Sequence, residues 1–119
     1  MKNTFSWMHL TASDSGKAQS FYRQLFDWNL VSKEKDEKAL YVEIDAGGEP
    51  FAGITQGEQA EDSHWTTFIN VDDIHKYKDK AESLGAQIIV PITDLGEGQG
   101  SFCVFKDPTG AVLGLWGPK

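Results

Sequence analysis

The hydrophobic pattern of the chain begins with an alternation at residues 5–11, FSWMHLT. Met8 and Leu10 fall on one face of this segment, and the other face carries Trp7, His9 and Thr11. Successive side chains of a β-strand point to opposite faces of the sheet, so a period of two predicts a strand. The first strand is therefore expected to have one apolar face and one face that can line a site.

The next segment, residues 12–28, changes to a helical period. Its apolar residues recur at positions i, i+3, i+4 and i+7, which places on one helical face Ala18, Phe21, Tyr22 and Leu25. A short side-chain oxygen before the first turn can accept a hydrogen bond from an otherwise unpaired amide, and Asp14 or Ser13 can supply it. We therefore predict an amphipathic helix that begins at one of these two residues.

Three strands are predicted after this helix, at residues 28–35, 39–46 and 51–56. The second half repeats this order, with a strand at 64–71, a helix at 72–86 and then strands in the segments QIIVP, SFCVF and AVLGLWG. Gly85 predicts the end of the second helix, because glycine readily adopts a positive φ. The apolar face of that helix is predicted to carry Ile74, Tyr77, Ala81 and Leu84.

The two halves align at an offset of 59 residues, which pairs Asp14 with Asp73, Leu25 with Leu84, Trp7 with Thr66 and His9 with Phe68. This repeat predicts the α+β class, with two tandem β-α-β-β-β modules at about 1–60 and 61–119 in a single domain. Two such curved sheets side by side would enclose a concave space, which is where small ligands bind.

Composition narrows the function classes. The chain of 119 residues is 39% hydrophobic and carries a net charge of −7, which disfavours nucleic acid as a partner and favours a cationic ligand. It contains neither an apolar run of the ~20 residues that span a bilayer nor the pattern of a signal peptide. Cys103 is the single cysteine, so no internal disulfide is possible, and we expect a cytoplasmic protein.

Three stretches resemble a known superfamily. HLTASDSGKAQSFYRQLFDW is similar to the "D…A..FY..LFGW" opening of the glyoxalase/bleomycin-resistance/dioxygenase proteins, the vicinal oxygen chelate superfamily. FINVDDIHKYKDKAESLGAQIIVP resembles the start of their second module, and VFKDPTGAVLGLW resembles the closing "DP.G…gL" strand. The resemblance implies paired β-α-β-β-β modules in an open, barrel-like mixed sheet, and a homodimer. In metal-dependent members it implies an ion, held by one residue from each of four strands, that acts as a Lewis acid.

Carried onto this chain, the family's metal-ligand positions fall on Trp7, Thr66, Gly114 and one of Gly53, Ile54 or Thr55. Indole and glycine side chains cannot bind a divalent ion, and a lone threonine hydroxyl is a poor ligand. We therefore predict no cofactor and no usual metal site. A rebuilt site is the alternative, and it would use His9, His64 and one carboxylate such as Glu43, because a catalytic ion needs about three protein ligands.

If the family register carries over, eight side chains line the concave face and form the predicted ligand-binding set: Trp7, His9, Thr11, Thr66, Phe68, Asn70, Gly114 and Trp116. The competing interpretation is that the aromatic members simply fill the core. His9 is the titratable group near the middle of this face. It is either a general acid–base or a neutral imidazole bonded to Thr11, Asn70 or a ligand.

Three functions remain open on the sequence alone. We favour a metal-independent protein that binds a small organic molecule in an aromatic cavity. The alternative is a glyoxalase-like lyase or related enzyme that uses His9 or a non-standard metal. The third is a vestigial module that acts through protein–protein contacts. The glycine-rich connection at 93–100 is expected to form a flap beside the cavity.

Overall fold

The computed structural model of the chain describes residues 3–35, 38–48, 51–57, 62–96 and 98–118. The predicted order of elements is confirmed. The first module contains β1 (Phe5–Ala12), α1 (Ser15–Leu25), β2 (Asn29–Lys35), β3 (Lys38–Asp45) and β4 (Ala52–Gln56). The second contains β5 (His64–Asn70), α2 (Ile74–Ser83), β6 (Gln87–Asp94), β7 (Ser101–Lys106) and β8 (Val112–Gly117). Within the described ranges, neither helix is long and apolar enough to cross a membrane.

The chain divides into two compact units, which differ slightly from the predicted modules. One unit is Trp7–Thr66, and the other combines Met1–Ser6 with Thr67–Lys119. Residues 3–6 belong to the second unit because they bond to β5. The Asn70 amide donates to the Thr4 carbonyl at 2.8 Å, and the Ser6 hydroxyl donates to the Phe68 carbonyl at 3.3 Å.

Each unit contains a mixed four-stranded sheet, which confirms the α+β class with two β-α-β-β-β modules. In the Trp7–Thr66 unit the strand order is β2-β3-β4-β1, and β1 runs parallel to β4. In the Thr67–Lys119 unit the order is β5-β8-β7-β6, and β5 runs parallel to β8. The other neighbouring pairs in both sheets are antiparallel.

The strand register supports the predicted repeat and removes its one ambiguity. His9 pairs with Gly53 between β1 and β4, and Phe68 pairs with Gly114 between β5 and β8. His9 and Phe68 are therefore equivalent positions, as the offset of 59 residues predicts. Gly53, rather than Ile54 or Thr55, is the counterpart of Gly114.

The two helices begin in the same way. The Asp14 carboxylate accepts from the Lys17 amide at 3.0 Å, and the Asp73 carboxylate accepts from the Lys76 amide at 3.1 Å. Both aspartates have extended backbone angles, with φ and ψ of −141° and 93° for Asp14 and −139° and 98° for Asp73. Asp14, rather than Ser13, is thus the N-cap of α1, because only its side chain closes this first turn.

Each unit has its own apolar core on the helix side of its sheet. In the first unit Ala18 and Tyr22 of α1 pack against buried residues of the strands, which are Leu10, Ala12, Ile44, Ala52 and Ile54. In the second unit Tyr77 of α2 packs against Val71, Ile74, Cys103 and Leu115. The apolar face of β1 is therefore buried as predicted, which leaves its Trp7–His9–Thr11 face for other contacts.

Three residues predicted to face the core are instead exposed. Phe21, Leu25 and Leu84 keep 57%, 56% and 68% of their surface accessible. Phe21 packs edge-on against the ring of Tyr22, at a centroid distance of 5.1 Å, while Tyr22 makes the contact with the core. Leu84 lies beyond the last residue of α2, where Gly85 turns the chain away with a φ of +103°. The helical stripe is thus narrower than the sequence pattern predicts.

Candidate functional site

The polar face of β1 carries a short chain of hydrogen bonds. The indole Nε1 of Trp7 donates to Nδ1 of His9 at 2.9 Å, and Nε2 of His9 lies 2.9 Å from the hydroxyl oxygen of Thr55 on β4. An indole nitrogen can only donate, so Nδ1 of His9 must be the unprotonated acceptor. In the neutral ring Nε2 then carries the hydrogen and donates to Thr55, which assigns the tautomer from its partners.

The same environment keeps His9 neutral. Burial, and secondarily the charge of His64, lower the pKa of His9 from 6.5 to about 4. A proton on Nδ1 would also remove the acceptor of the Trp7 hydrogen bond. At neutral pH the ring is therefore uncharged and both of its nitrogens are engaged. The imidazole is neutral, as in one of the two alternatives that the sequence left open, and its hydrogen-bond partners are Trp7 and Thr55.

Gly53 provides the space that the Trp7 ring occupies. A Cβ added at Gly53 would lie 2.8 Å from Cζ2 of Trp7 and 3.2 Å from Cδ2 of Tyr41, and both distances are too short for an ordinary contact. The rings of Trp7 and Tyr41 meet edge to face there, at a centroid distance of 5.9 Å. The absence of a side chain at position 53 thus lets two aromatic rings close over the sheet.

Three further residues share this face: Tyr41, which was not predicted, and Glu43 and Thr55, which were considered only as metal ligands. Glu43 pairs with Gly53 across β3 and β4, and Tyr41 lies two residues earlier on the same strand. Lateral partners share a face of the sheet, so both side chains stand with Trp7 and His9. The alternation in ALYVEIDA, where Val42 and Ile44 are apolar, is the sequence signal that could have identified them.

The other unit repeats this arrangement with different residues. A Cβ added at Gly114 would overlap the ring of Phe68, its partner across β5 and β8. Phe68 in turn meets Phe102 of β7 edge to face, at a centroid distance of 5.9 Å. In both units, therefore, a glycine on the last strand lies beneath an aromatic ring from the first strand.

Trp116 holds the glycine-rich connection that precedes β7. Its indole Nε1 donates to the carbonyl of Gln99 at 2.9 Å, and the Leu95 amide donates to the Gly100 carbonyl at 2.9 Å. Gly100 has a φ of +87°, and a Cβ there would press against the Trp116 ring, so glycine is required at this position. The predicted role of this connection as a flap stays a prediction.

The remaining predicted residues are distributed between the units. Thr66 is buried, and Thr11 pairs with Thr55 in the first sheet. Asn70 pairs with Trp116 in the second sheet, and the backbone carbonyl of Asn70 accepts a hydrogen bond from the side-chain amide of Asn3 at 3.1 Å. The first unit also has an open cavity of about 280 Å³, which among the described residues is lined by Phe21, Gln24 and Leu25 and by no residue of the predicted ligand-binding set.

The comparison with known families decides the assignment. The model of the Glyoxalase/Bleomycin resistance protein/Dioxygenase superfamily matches residues 4–115. The chain belongs to this superfamily. This match covers both β-α-β-β-β modules and confirms the family that the sequence motifs resemble.

Curated relatives and solved structures agree with this membership of the superfamily. A protein named "Putative glyoxylase CFP32", found in Mycobacterium bovis and Mycobacterium tuberculosis, is 31% identical over 97% of this chain. The chain covers 46% of that relative's length, so it spans about half of the curated relatives that it matches. A similar fold occurs in methylmalonyl-CoA epimerase from M. tuberculosis, with a TM-score of 0.64 at 14% identity and coverage of 97% of this chain and 87% of the epimerase.

Another solved structure, of the hypothetical protein BH1468 from Bacillus halodurans, has a TM-score of 0.68 at 12% identity. The match covers all of this chain and 96% of BH1468. At these identities, likeness to the two solved structures establishes the fold alone, so the residues of the site must be considered on their own.

The metal-ligand positions of the superfamily do not fit an ion in this chain. Those positions are Trp7, Gly53, Thr66 and Gly114, and the space in front of both glycines is filled by aromatic rings. The rebuilt site fits no better, because binding an ion through His9 would break its bond to Trp7 or to Thr55. The exposed His64 donates through Nδ1 to the Asp62 carbonyl at 3.0 Å. Among the described residues no three His, Cys, Asp or Glu side chains converge as a metal site.

Proposed function

We propose that the chain is a metal-independent small-molecule-binding protein of the glyoxalase/bleomycin-resistance superfamily. The ligand would lie against the aromatic and polar face of the Trp7–Thr66 sheet, where Trp7, His9, Tyr41, Glu43 and Thr55 stand together. Aromatic surface with a few oriented polar groups is the usual composition of a small-molecule site. The predicted residues of the other unit, Phe68, Asn70, Gly114 and Trp116, stay candidates for further ligand contacts.

The observation that supports metal independence is the ring over each glycine. The family resemblance implies that in metal-dependent members the final strand of a module carries a metal ligand, usually glutamate, at the position that here is Gly53 or Gly114. The Trp7 ring at Gly53 and the Phe68 ring at Gly114 occupy the space that such a side chain would need. This support is steric, because a carboxylate at either position would have to displace the aromatic ring that occupies its space.

The alternative function is a glyoxalase-like lyase, and the name of the mycobacterial relative favours it. Such an enzyme would need a base or an ion, and His9 is the residue predicted for that role. A pKa of about 4 and an Nδ1 already bonded to Trp7 make this ring a weak base at neutral pH. We therefore favour binding over catalysis. Dimer formation and a cytoplasmic location stay predictions.

Metal content and ligand response test the proposal together. The purified protein is analysed for bound metals, and its unfolding temperature is measured with Zn²⁺, Ni²⁺, Mn²⁺ or Mg²⁺ and with a panel of planar and cationic organic compounds. We expect less than a tenth of an equivalent of any metal, no response to these ions, and stabilisation by members of the panel. A stoichiometric ion that is lost in His9→Ala would overturn metal independence, and a panel without effect would count against ligand binding.

A further inference from the structure

The centre of the polar face in the Trp7–Thr66 unit combines two aromatic rings with a carboxylate. The strand register places His9, Gly53 and Glu43 side by side on β1, β4 and β3. Gly53 has no side chain, so the rings of Trp7 and Tyr41 approach each other over it, and Glu43 stands at the edge of this pair.

The Glu43 carboxylate is largely removed from water, and its partners are the Lys33 ammonium group and the Tyr41 hydroxyl, which donates a hydrogen bond to it. The Glu43 side chain is 16% exposed, and Nζ of Lys33 lies 3.6 Å from Oε1, beyond hydrogen-bonding distance. A carboxylate in such a position is costly unless a cation or several donors compensate it. The Lys33 side chain is 43% exposed, and an ion pair of such an exposed lysine contributes little free energy, so it can leave this position at little cost.

The hydroxyl group of Tyr41, which neighbours Glu43, lies in the same negative environment. Burial, then the charge of Glu43 and a hydrogen bond to it, raise the pKa of Tyr41 above its usual value of 10.0. The Tyr41 ring therefore keeps its hydroxyl proton and stays neutral. Aromatic faces attract cations through the negative potential of their π electrons, and tryptophan does so most strongly. The rings of Trp7 and Tyr41 and the carboxylate of Glu43 thus all favour a cationic ligand.

We propose that Trp7, Tyr41 and Glu43 form a subsite for the ammonium group of an organic cation, which on binding replaces Lys33 beside Glu43. This subsite rests on the proposed small-molecule function and specifies its ligand class. The net charge of −7 acts in the same direction, because an acidic protein raises the local concentration of cations. Lys33 would then act as a placeholder that keeps Glu43 paired while no ligand is bound.

The decisive test compares two probes of the same shape that differ in charge, choline and 3,3-dimethylbutan-1-ol. Their dissociation constants are measured by NMR titration, with the indole signal of Trp7 as the reporter. We expect choline to bind at least about tenfold more tightly than the neutral alcohol. In Glu43→Gln this preference should fall below about twofold. In Lys33→Met the affinity for choline should rise several-fold, because the competing ammonium group is gone.

Glu82→Gln is the matched control, since Glu82 also pairs with a lysine, Lys78 at 2.7 Å, but lies on α2 of the other unit. It changes the net charge equally and should leave the preference for choline unchanged. Amide spectra verify that each variant is folded. Equal binding of the two probes, or an unchanged preference in Glu43→Gln, would overturn the subsite.

A panel of neutral planar aromatic compounds separates this outcome from failure of the proposed function. If these compounds shift the Trp7 signal while the two probes bind equally, the face binds small molecules but the cation subsite is wrong. If neither the probes nor the panel shift the signal, the proposed function fails, and the subsite fails with it.

Discussion

The indole nitrogen of Trp7 lies 2.9 Å from Nδ1 of His9, two residues further along the same strand. This hydrogen bond fixes the protonation state of the imidazole and the orientation of the indole at once. It makes His9, which was predicted as a candidate metal ligand or base, a support for an aromatic ring. The chemistry of the site therefore depends on what Trp7 contacts, more than on what His9 could bind.

The buried imidazole should make stability depend on pH. The pKa of His9 is about 4 in the folded chain against 6.5 for an unperturbed histidine, so the unfolded chain binds more protons between these values. The free energy of unfolding should therefore fall, by about 2–3 kcal/mol, as the pH decreases from 6.5 to 4. Denaturant unfolding of the wild type and of His9→Gln across this range measures the effect.

Glutamine at position 9 can keep both hydrogen bonds but does not titrate, so this variant should lose most of the pH dependence. His75 is exposed on α2, and His75→Gln is the control that should keep the wild-type profile. Parallel pH profiles for the wild type and His9→Gln would contradict the assigned environment of His9.

The ring over Gly114 should make this position intolerant of any side chain. Gly114→Ala places a methyl group against the Phe68 ring, and we expect a loss of about 1–3 kcal/mol in unfolding free energy. Phe68→Leu shortens the opposing side chain, so the double variant should be more stable than the sum of the single effects predicts. Thermal or urea unfolding of the wild type, the two single variants and the double variant completes this double-mutant cycle.

Gly16→Ala is the control for that cycle. A Cβ at Gly16 comes no closer than 3.7 Å to a neighbouring atom, which is an ordinary contact, and alanine favours a helix. It should leave stability unchanged or raise it slightly. Strictly additive effects at positions 68 and 114 would show that the ring does not fill the space of the missing side chain.

The two aspartate caps should contribute equally, because their geometry is the same. Asp14→Ala and Asp73→Ala should each lower the unfolding free energy by about 1 kcal/mol, whereas Asp→Asn at either position should cost less. Asp72→Ala, one residue before the second cap and exposed, serves as the control. A difference of more than a factor of two between the caps would indicate that tertiary contacts, and not local capping, dominate at one of them.

The hydrogen bond from Trp116 to Gln99 should protect the backbone amides of the connection before β7 from hydrogen exchange. Trp116→Phe keeps an aromatic ring but removes the donor, so amide hydrogen exchange should accelerate several-fold at Leu95 and Gln99. Trp65→Phe, which alters an exposed ring in the other unit, should leave these amides unchanged. Identical exchange rates in the wild type and Trp116→Phe would mean that the backbone bonds hold this segment without the indole.

Local signals explain which parts of the fold could be predicted from the sequence. The cap at Asp14, one of the two predicted candidates, and the alternation along β1 depend on a few neighbouring residues, and both were confirmed. Whether Phe21 and Leu25 are covered depends on how α1 lies on its sheet, which the helical period does not specify. The helical period shows which side of a helix is apolar, whereas the packing of the helix on its sheet determines how many of those apolar residues are buried.

The site was less predictable because its contacts join distant segments. His9 bonds to Thr55, 46 residues away, and the sequence left three candidates on β4 for the counterpart of Gly114. Only the register between β1 and β4 selects Gly53 and brings Thr55 to Nε2 of His9. For the same reason Tyr41 was overlooked and Glu43 was considered only as a metal ligand, since their neighbours across the sheet could not be assigned.

The pairing of Trp7 with Gly53 also limits how this chain could change by single substitutions. A carboxylate at position 53 would collide with the indole, and a smaller residue at position 7 would leave His9 without its donor and leave a void over Gly53. Trp7 and Gly53 are therefore coupled positions, and a substitution at either one is expected to lower the stability of the fold unless the other changes with it.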